Sequence, residues 1–457
     1  MNLQLIVNMS LNKYIDNLDS LISERISGKV TNVVGLTIES RGPKASVGEI
    51  CKIVSHDGIT KGKAEVVGFT SNNLILMPLG NISDITLGDS VIHEAKNFST
   101  LVGEELLGRV LNGLGEPIDG LDPLKQMESR SVYNNPPNPM ERKRIDEHLL
   151  TGVRSIDVFT TCGKGQRTGI FSGSGVGKSV LLGMIARNTN ASVNVIALIG
   201  ERGREVREFI EKDLGPEGLK RSVVIVVTSD EPALVKIKGI LIACTIAEYF
   251  RDKLMDVMLL VDSLTRIGMA QREIGLAVGE MPTSKGYTPS VFSLLPKIIE
   301  RAGYNSKGSI TGFYTVLVEA DDMNDPIADA ARSFLDGHIV LSRKIAAMQR
   351  FPAMDILQSS SRLMDEIASS EHKLLAAEFR SNLAYYEEAE DLINIGAYVK
   401  GNDPKIDKAI DVIDPLTEYL RQGVEDKTDL NSDLDTLAQI LHLNTPEDEQ
   451  ADEKVSV

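Results

Sequence analysis

The chain has 457 residues, a length that suits about three domains, with 42% hydrophobic and 25% charged residues. Its net charge of −16 disfavours a broad nucleic-acid-binding surface, which needs clustered Lys and Arg. An aromatic content of 5% with no Trp disfavours base-stacking platforms as well.

Taken in order, Leu11, Tyr14, Ile15, Leu18, Leu21 and Ile22 form a helical stripe, with Ser10 placed to cap it. That helix packs either on its own barrel or in a partner's groove. From residue 28 to 96 the period changes to two: short apolar runs at 49–55, 63–70, 73–78 and 89–93 alternate with Gly58, Gly62, Gly80 and Gly88, which predicts a small β-barrel. Residues 107–120 read as a turn-rich crossing, and 135–139 as a proline-stiffened linker.

The stretch Ser172-Gly173-Ser174-Gly175-Val176-Gly177-Lys178-Ser179-Val180 has the spacing of a phosphate-binding loop. Glycines let backbone N–H groups turn toward one anion. Lys178 would reach the β- and γ-phosphates, and the Ser179 hydroxyl would hold Mg²⁺. Residues 167–172 before it read as a buried strand and 180–188 after it as a helix, which would set the phosphates at a positive helix end. Ser172 stands where the strict pattern has glycine.

Beyond the loop, β-branched runs at 193–200, 223–229 and 257–262 predict strands buried on both faces, as in a parallel sheet. Residues 309–319 and 337–342 predict two more. Residues 203–214, 232–251 and 265–278 read as helices between or beyond them, so the middle is a doubly wound α/β core. Periodic runs at 363–367, 373–393 and 405–422 predict a C-terminal helical domain, and 445–457 reads as a solvated acidic tail. Cys51, Cys162 and Cys244 are isolated, which suggests neither zinc nor a disulfide framework and fits a reduced cytosol. No apolar run of about 18 residues and no signal-peptide pattern is visible, which predicts work inside the cell or at a membrane's inner side through partners.

Asp262 ends an apolar strand, where a carboxylate orients Mg²⁺ through its water shell or simply caps the next helix. Glu201 follows another strand end. There it either polarises an attacking water or favours a helix dipole, and spacing alone leaves both open.

The motifs Gly200-Glu201-Arg202-Gly203-Arg204-Glu205-Val206, Leu260-Val261-Asp262-Ser263-Leu264-Thr265-Arg266, Ala270-Gln271-Arg272-Glu273-Ile274-Gly275-Leu276-Ala277 and Asp336-Gly337-His338-Ile339-Val340-Leu341-Ser342-Arg343 closely resemble the ATPases of type III export systems, the flagellar branch above all. These are relatives of rotary ATP synthase subunits. The resemblance covers residues 25–425 and implies a P-loop NTPase core of the RecA-like type at 99–360. A β-barrel at 25–98 and a helical domain at 361–444 would flank it, with a partner-binding segment at 1–24. It implies ATP and Mg²⁺ as ligands, Glu201 as the catalytic glutamate, Arg202 on the phosphates, and Arg362 as an arginine finger reaching a neighbour's site. Phe351 would stack on adenine, with Tyr398 closing its other side.

Because Glu201 and Arg362 lie on one chain, identical copies would complete every site, which agrees with the family's homohexamer. The implied partners are a stator-like regulator on the N-terminal segment, a central stalk protein, export chaperone–substrate complexes and a membrane export gate, with no nucleic acid. The location would be cytoplasmic, peripheral to the membrane's inner face. An injectisome ATPase, a rotary synthase subunit, a hexameric nucleic-acid translocase and a non-enzymatic nucleotide-binding structural subunit are the rival readings.

Overall fold

The structure, a computed structural model, describes residues 27–442 apart from 71, 81–83, 319–321 and 323–324. The helix expected at 11–22, the tail at 445–457 and the end of the strand expected at 309–319 lie outside the described residues. The chain divides into two compact units that part between Phe98 and Ser99.

The first unit is a closed barrel of six antiparallel strands: Ser27–Val34, Thr37–Arg41, Glu49–Val54, Thr60–Phe69, Leu74–Pro78 and Ser90–Asn97. Its interior is filled by Val30, Ile38, Cys51, Ile53, Ala64, Val66, Leu74, Leu76 and Val91. Closure leaves no open sheet edge. The fourth strand starts before its apolar run, where Thr60 pairs with Val54 of the preceding strand and Lys61 lies 2.9 Å from the buried Asp89.

The second unit carries a nine-stranded sheet. Across it lie Met354–Ser361, Gly337–Leu341, Arg167–Ser172, Gly308–Leu317, Asp256–Asp262, Val193–Glu201, Ser222–Thr228 and Val110–Asn112, with Gly303–Asn305 pairing off this path. Neighbours are parallel from Gly337–Leu341 through Val110–Asn112, and Met354–Ser361 runs antiparallel at the edge. Val193 to Gly200 and Ser222 to Val227 are buried without a break, as strands covered by helices on both faces must be.

Several features depart from the sequence reading. Residues 107–120 are more than a crossing, since Val110–Asn112 adds a strand to the sheet. The helix expected at 203–214 is helical only over Gly203–Glu208 and then widens into a π-turn at Phe209–Leu214. That turn packs on the helix after the phosphate loop so closely that a Cβ on Gly183 would lie 2.6 Å from the Asp213 carbonyl oxygen. Helices Pro289–Ile299 and Pro326–Phe334 also stand where no element was expected.

Helices Ser370–Asn394, Pro404–Tyr419 and Leu430–His442 follow the sheet. They share its core: Phe379 stacks 4.3 Å from Phe159, and the buried His372 bonds the Val158 carbonyl at 2.7 Å. Among the described residues no helix is long and apolar enough to cross a membrane.

Candidate active site

The strand Arg167–Ser172 is fixed on both sides by parallel partners and releases the chain at Ser172. The helix Lys178–Asn188 begins six residues later. Its N-cap is Gly177 at φ 90°, a left-handed angle that disfavours a side chain, so no capping oxygen competes for the first-turn N–H groups. Those donors and the helix dipole make an anion site. Gly173 serves another purpose: a Cβ there would lie 2.6 Å from the Arg343 guanidinium, so its smallness admits Arg343. Ser174 and Ser179 are exposed, Val176 is buried, and Val180 is half-buried. Ser172 fits the usual glycine position while fully buried, its hydroxyl lacking a hydrogen-bond partner among the described residues.

Three groups converge at the loop. The Lys178 ammonium lies 2.6 Å from Asp262 and 3.6 Å from Glu201. Asp262 ends one strand and Glu201 ends its parallel neighbour, with Leu198 in register with Asp262, so both carboxylates project from the same sheet end. The buried Thr315 hydroxyl donates to Asp262 at 2.7 Å and fixes it further. Glu201 is pushed above the ordinary carboxylate range, first by burial and then by the Asp262 charge, against the pull of Lys178 and Arg266.

Arg202 does not join this cluster. Its side chain is 79% exposed and pairs with Glu205 at 3.2 Å. The cation that does join is Arg266, which the sequence reading left without a role. Its side chain crosses over Gly200, where a Cβ would lie 3.0 Å from it, and its Nε is buried with no hydrogen-bond partner among the described residues. A signal existed: Arg266 lies in the first turn of helix Leu264–Ala277, where the dipole favours acids, so a cation there is out of place unless it meets an anion.

Beside the loop helix lies an apolar cavity of about 270 Å³, lined by Val176, Gly177, Val180, Phe351, Pro352 and Val424 among others. Phe351, 40% exposed, lies over Gly177. Gln422 closes the far wall with its polar atoms already engaged. Its backbone N–H donates to the Phe351 carbonyl at 3.0 Å, its Oε1 accepts from Arg154, and its Nε2 donates to Gly152 and Asp426.

Tyr398 is not at this cavity, which corrects the expectation that it faces Phe351. Its hydroxyl is tied to Asp403 and Asp407 at the start of helix Pro404–Tyr419. Gln422 lies past the end of that helix, which at 1.5 Å per residue is roughly 20 Å away. Val424 and Gln422 stand where Tyr398 was expected.

Arg362 sits at the opposite end of the sheet from Lys178. It follows Ser361, which pairs with Gly337, and Gly337 is in register with Thr168, about 13 Å of strand before the phosphate loop. The Arg362 side chain is exposed and makes no ion pair among the described residues.

For a metal, the donors at the loop are the Ser179 hydroxyl and the Asp262 carboxylate. Among the described residues no cluster of three His, Cys, Asp or Glu could hold an ion alone. Hard oxygen donors of this number fit Mg²⁺ that arrives with phosphate oxygens completing its shell, and fit a self-sufficient metal centre poorly.

Comparison with known proteins agrees with this geometry. Family models match at residues 30–93 (ATP synthase alpha/beta family, beta-barrel domain), 152–361 (ATP synthase alpha/beta family, nucleotide-binding domain) and 368–439 (T3SS EscN ATPase C-terminal domain). The flagellum-specific ATP synthase of Bacillus subtilis is 52% identical over 94% of this chain and 99% of its own. The assembled ATPase EscN of the enteropathogenic E. coli type III secretion system superposes with a TM-score of 0.87 at 44% identity, covering 91% of this chain and all of that one. EscN in complex with its central stalk EscO superposes at 0.84 with 43% identity, again over 91% and 100%. A barrel, a parallel α/β sheet with its phosphate loop, and terminal helices thus recur together along nearly the whole length. The chain belongs to the flagellar and type III secretion branch of the ATP synthase alpha/beta family, a family of ATP-hydrolysing enzymes.

Proposed function

We propose that this chain hydrolyses Mg·ATP in a ring of six identical copies and energises the export of flagellar proteins. The observation that carries the reading is the separation of two necessary parts. Lys178, Asp262 and Glu201 converge at one end of the sheet, while the exposed Arg362 stands at the other. One copy holds the triphosphate and primes the water, and the next supplies the guanidinium.

In this scheme Gly173 to Val180 wrap the phosphates with backbone N–H groups. Ser179 and Asp262 would hold Mg²⁺, which when bound would supply positive charge to the phosphates. Lys178 and Arg266 face the developing negative charge, and Glu201 orients the attacking water. Phe351 stacks on the adenine, and the apolar wall with Val424 covers its other face. The flagellar assignment is favoured over the injectisome by identities of 52% and 50% to the flagellum-specific relatives of Bacillus subtilis and Treponema pallidum, against 46% to the type 3 secretion system ATPase of Xanthomonas euvesicatoria. A central stalk partner is favoured by the EscN–EscO complex. A stator-like regulator on residues 1–24, chaperone–substrate complexes and peripheral docking at the membrane export gate complete the proposal.

The test mixes an R362A copy with an E201Q copy, each inactive alone. Random rings leave about a quarter of interfaces with both groups intact, so ATPase activity should return to roughly that fraction of wild type. Mixed assemblies that form but stay inactive would overturn the two-copy site. Complementation of motility in a bacterium lacking its flagellar export ATPase, set against secretion in one lacking its injectisome ATPase, separates the two branches.

A further inference from the structure

Among the described residues Arg362 is anchored by its backbone alone, and the anchor leads to an unexpected place. The Arg362 N–H donates to the Asp336 carbonyl at 2.9 Å. The preceding Ser361 hydroxyl accepts from the Gln166 side chain at 3.0 Å and donates to the Thr161 carbonyl at 2.8 Å. Asp336 is in turn clamped by Arg167. Its carboxylate receives Nε at 3.0 Å, Nη2 at 3.1 Å and the Arg167 backbone N–H at 3.1 Å, while its own N–H donates to the Arg167 carbonyl at 2.8 Å. Arg167 also pairs with Glu300, which Arg142 holds from the other side at 2.8 Å. Such forked, charge-assisted pairs fix orientation as well as distance.

Arg167 is the first residue of the strand that ends at Ser172 in the phosphate loop, and Gln166 immediately precedes it. One short strand therefore has the copy's own nucleotide site at its far end and, at its near end, the seat of the finger that this copy extends to its neighbour. We propose that Arg167 is a positioning residue for the reaction in the adjacent copy. Through Asp336 it holds the main chain at Arg362, and so the reach of the guanidinium into the neighbouring site. The proposal rests on the two-copy reading above. A misplacement of about 1 Å at a reacting centre costs on the order of 10²-fold in rate. Loss of this clamp should therefore lower kcat by that order while leaving KM for ATP within about twofold, since the variant's own phosphate loop is untouched.

The decisive measurement is the pattern of rescue in mixed rings. R167Q mixed with E201Q should regain activity, because intact fingers on the E201Q copies serve intact sites on the R167Q copies. R167Q mixed with R362A should stay inactive, because neither copy offers a working finger. If Arg167 instead supported its own copy's phosphate loop, the pattern would invert: rescue by R362A and none by E201Q. D336N, which keeps the side chain's size, should reproduce the pattern if R167Q fails to fold, and R167K should recover only part of the rate because one ammonium cannot fork. Folded, ring-forming R167Q and D336N proteins rescued by neither partner, or by R362A, overturn the proposal. If R362A and E201Q fail to complement each other, it is the two-copy reading that falls.

Discussion

Glu201 is held between two opposing demands, and that tension is measurable. Burial and the nearby Asp262 charge raise its affinity for a proton, while Lys178 and Arg266 pull the other way and lose. A carboxyl whose folded pKa exceeds its unfolded one favours the folded state below the unfolded value, and that advantage disappears as pH rises through the folded value. The nucleotide-free E201Q protein should therefore unfold at a higher temperature than wild type at pH 8. The gap should shrink as the buffer approaches the ordinary carboxylate range. A gap that stays constant, or widens toward acid, contradicts this sign. The same residue shows what a sequence can reveal. A carboxylate at the end of an apolar strand, beside a phosphate loop, is legible from spacing. The role of its chain neighbour Arg202 is not, because consecutive residues at a strand end face opposite ways. Arg266, contributed by a different element, reaches the site only because Gly200 leaves room for it. Arg266→Ala should lower kcat while leaving the melting temperature close to wild type, as read by turnover and by scanning calorimetry.

At the scale of elements, the loop and its helix work because nothing occupies the helix's first donors. Gly177→Ala forces a left-handed residue at the cap, which costs about 1–2 kcal/mol. The added methyl itself would lie 3.6 Å from the Phe351 ring, in ordinary contact, so the cost is conformational. The expected result is a lower melting temperature together with weaker binding of a fluorescent ATP analogue. Phe351→Ala removes a stacking surface worth about 1–3 kcal/mol, so KM for ATP should rise about tenfold or more with kcat little changed. Strands buried on both faces were readable from their β-branched runs. The edge strand Met354–Ser361 was not, since only part of it is buried and its pattern alternates weakly. Helix Pro289–Ile299 was hidden by the proline at its start and Pro296 within it, although proline suits the first position and the helix face toward the core is apolar. Tyr398 was misjudged because a helix of known length lies between it and the base cavity, and sequence distance does not reveal which end a side chain occupies.

On the scale of the whole molecule, the proposed two-copy site requires identical copies to meet. Light scattering with a non-hydrolysable ATP analogue should report about six times the monomer mass; a stable, active monomer is incompatible with the shared site. The division between barrel and α/β unit was visible as a change of hydrophobic period. The merging of the terminal helices with the sheet was not, because contacts such as Phe159 with Phe379 join residues far apart in the chain. Gln422 is where that merger meets the apolar cavity beside the phosphate loop. It is tied to Phe351, Gly152 and Arg154 at once, and so forms a wall of the base cavity out of the segment that links two terminal helices. A purine wedged against that wall would act as a rivet through both layers. Nucleotide-soaked protein should keep Lys405 and Arg421 shielded from trypsin long after the unloaded protein has been clipped there.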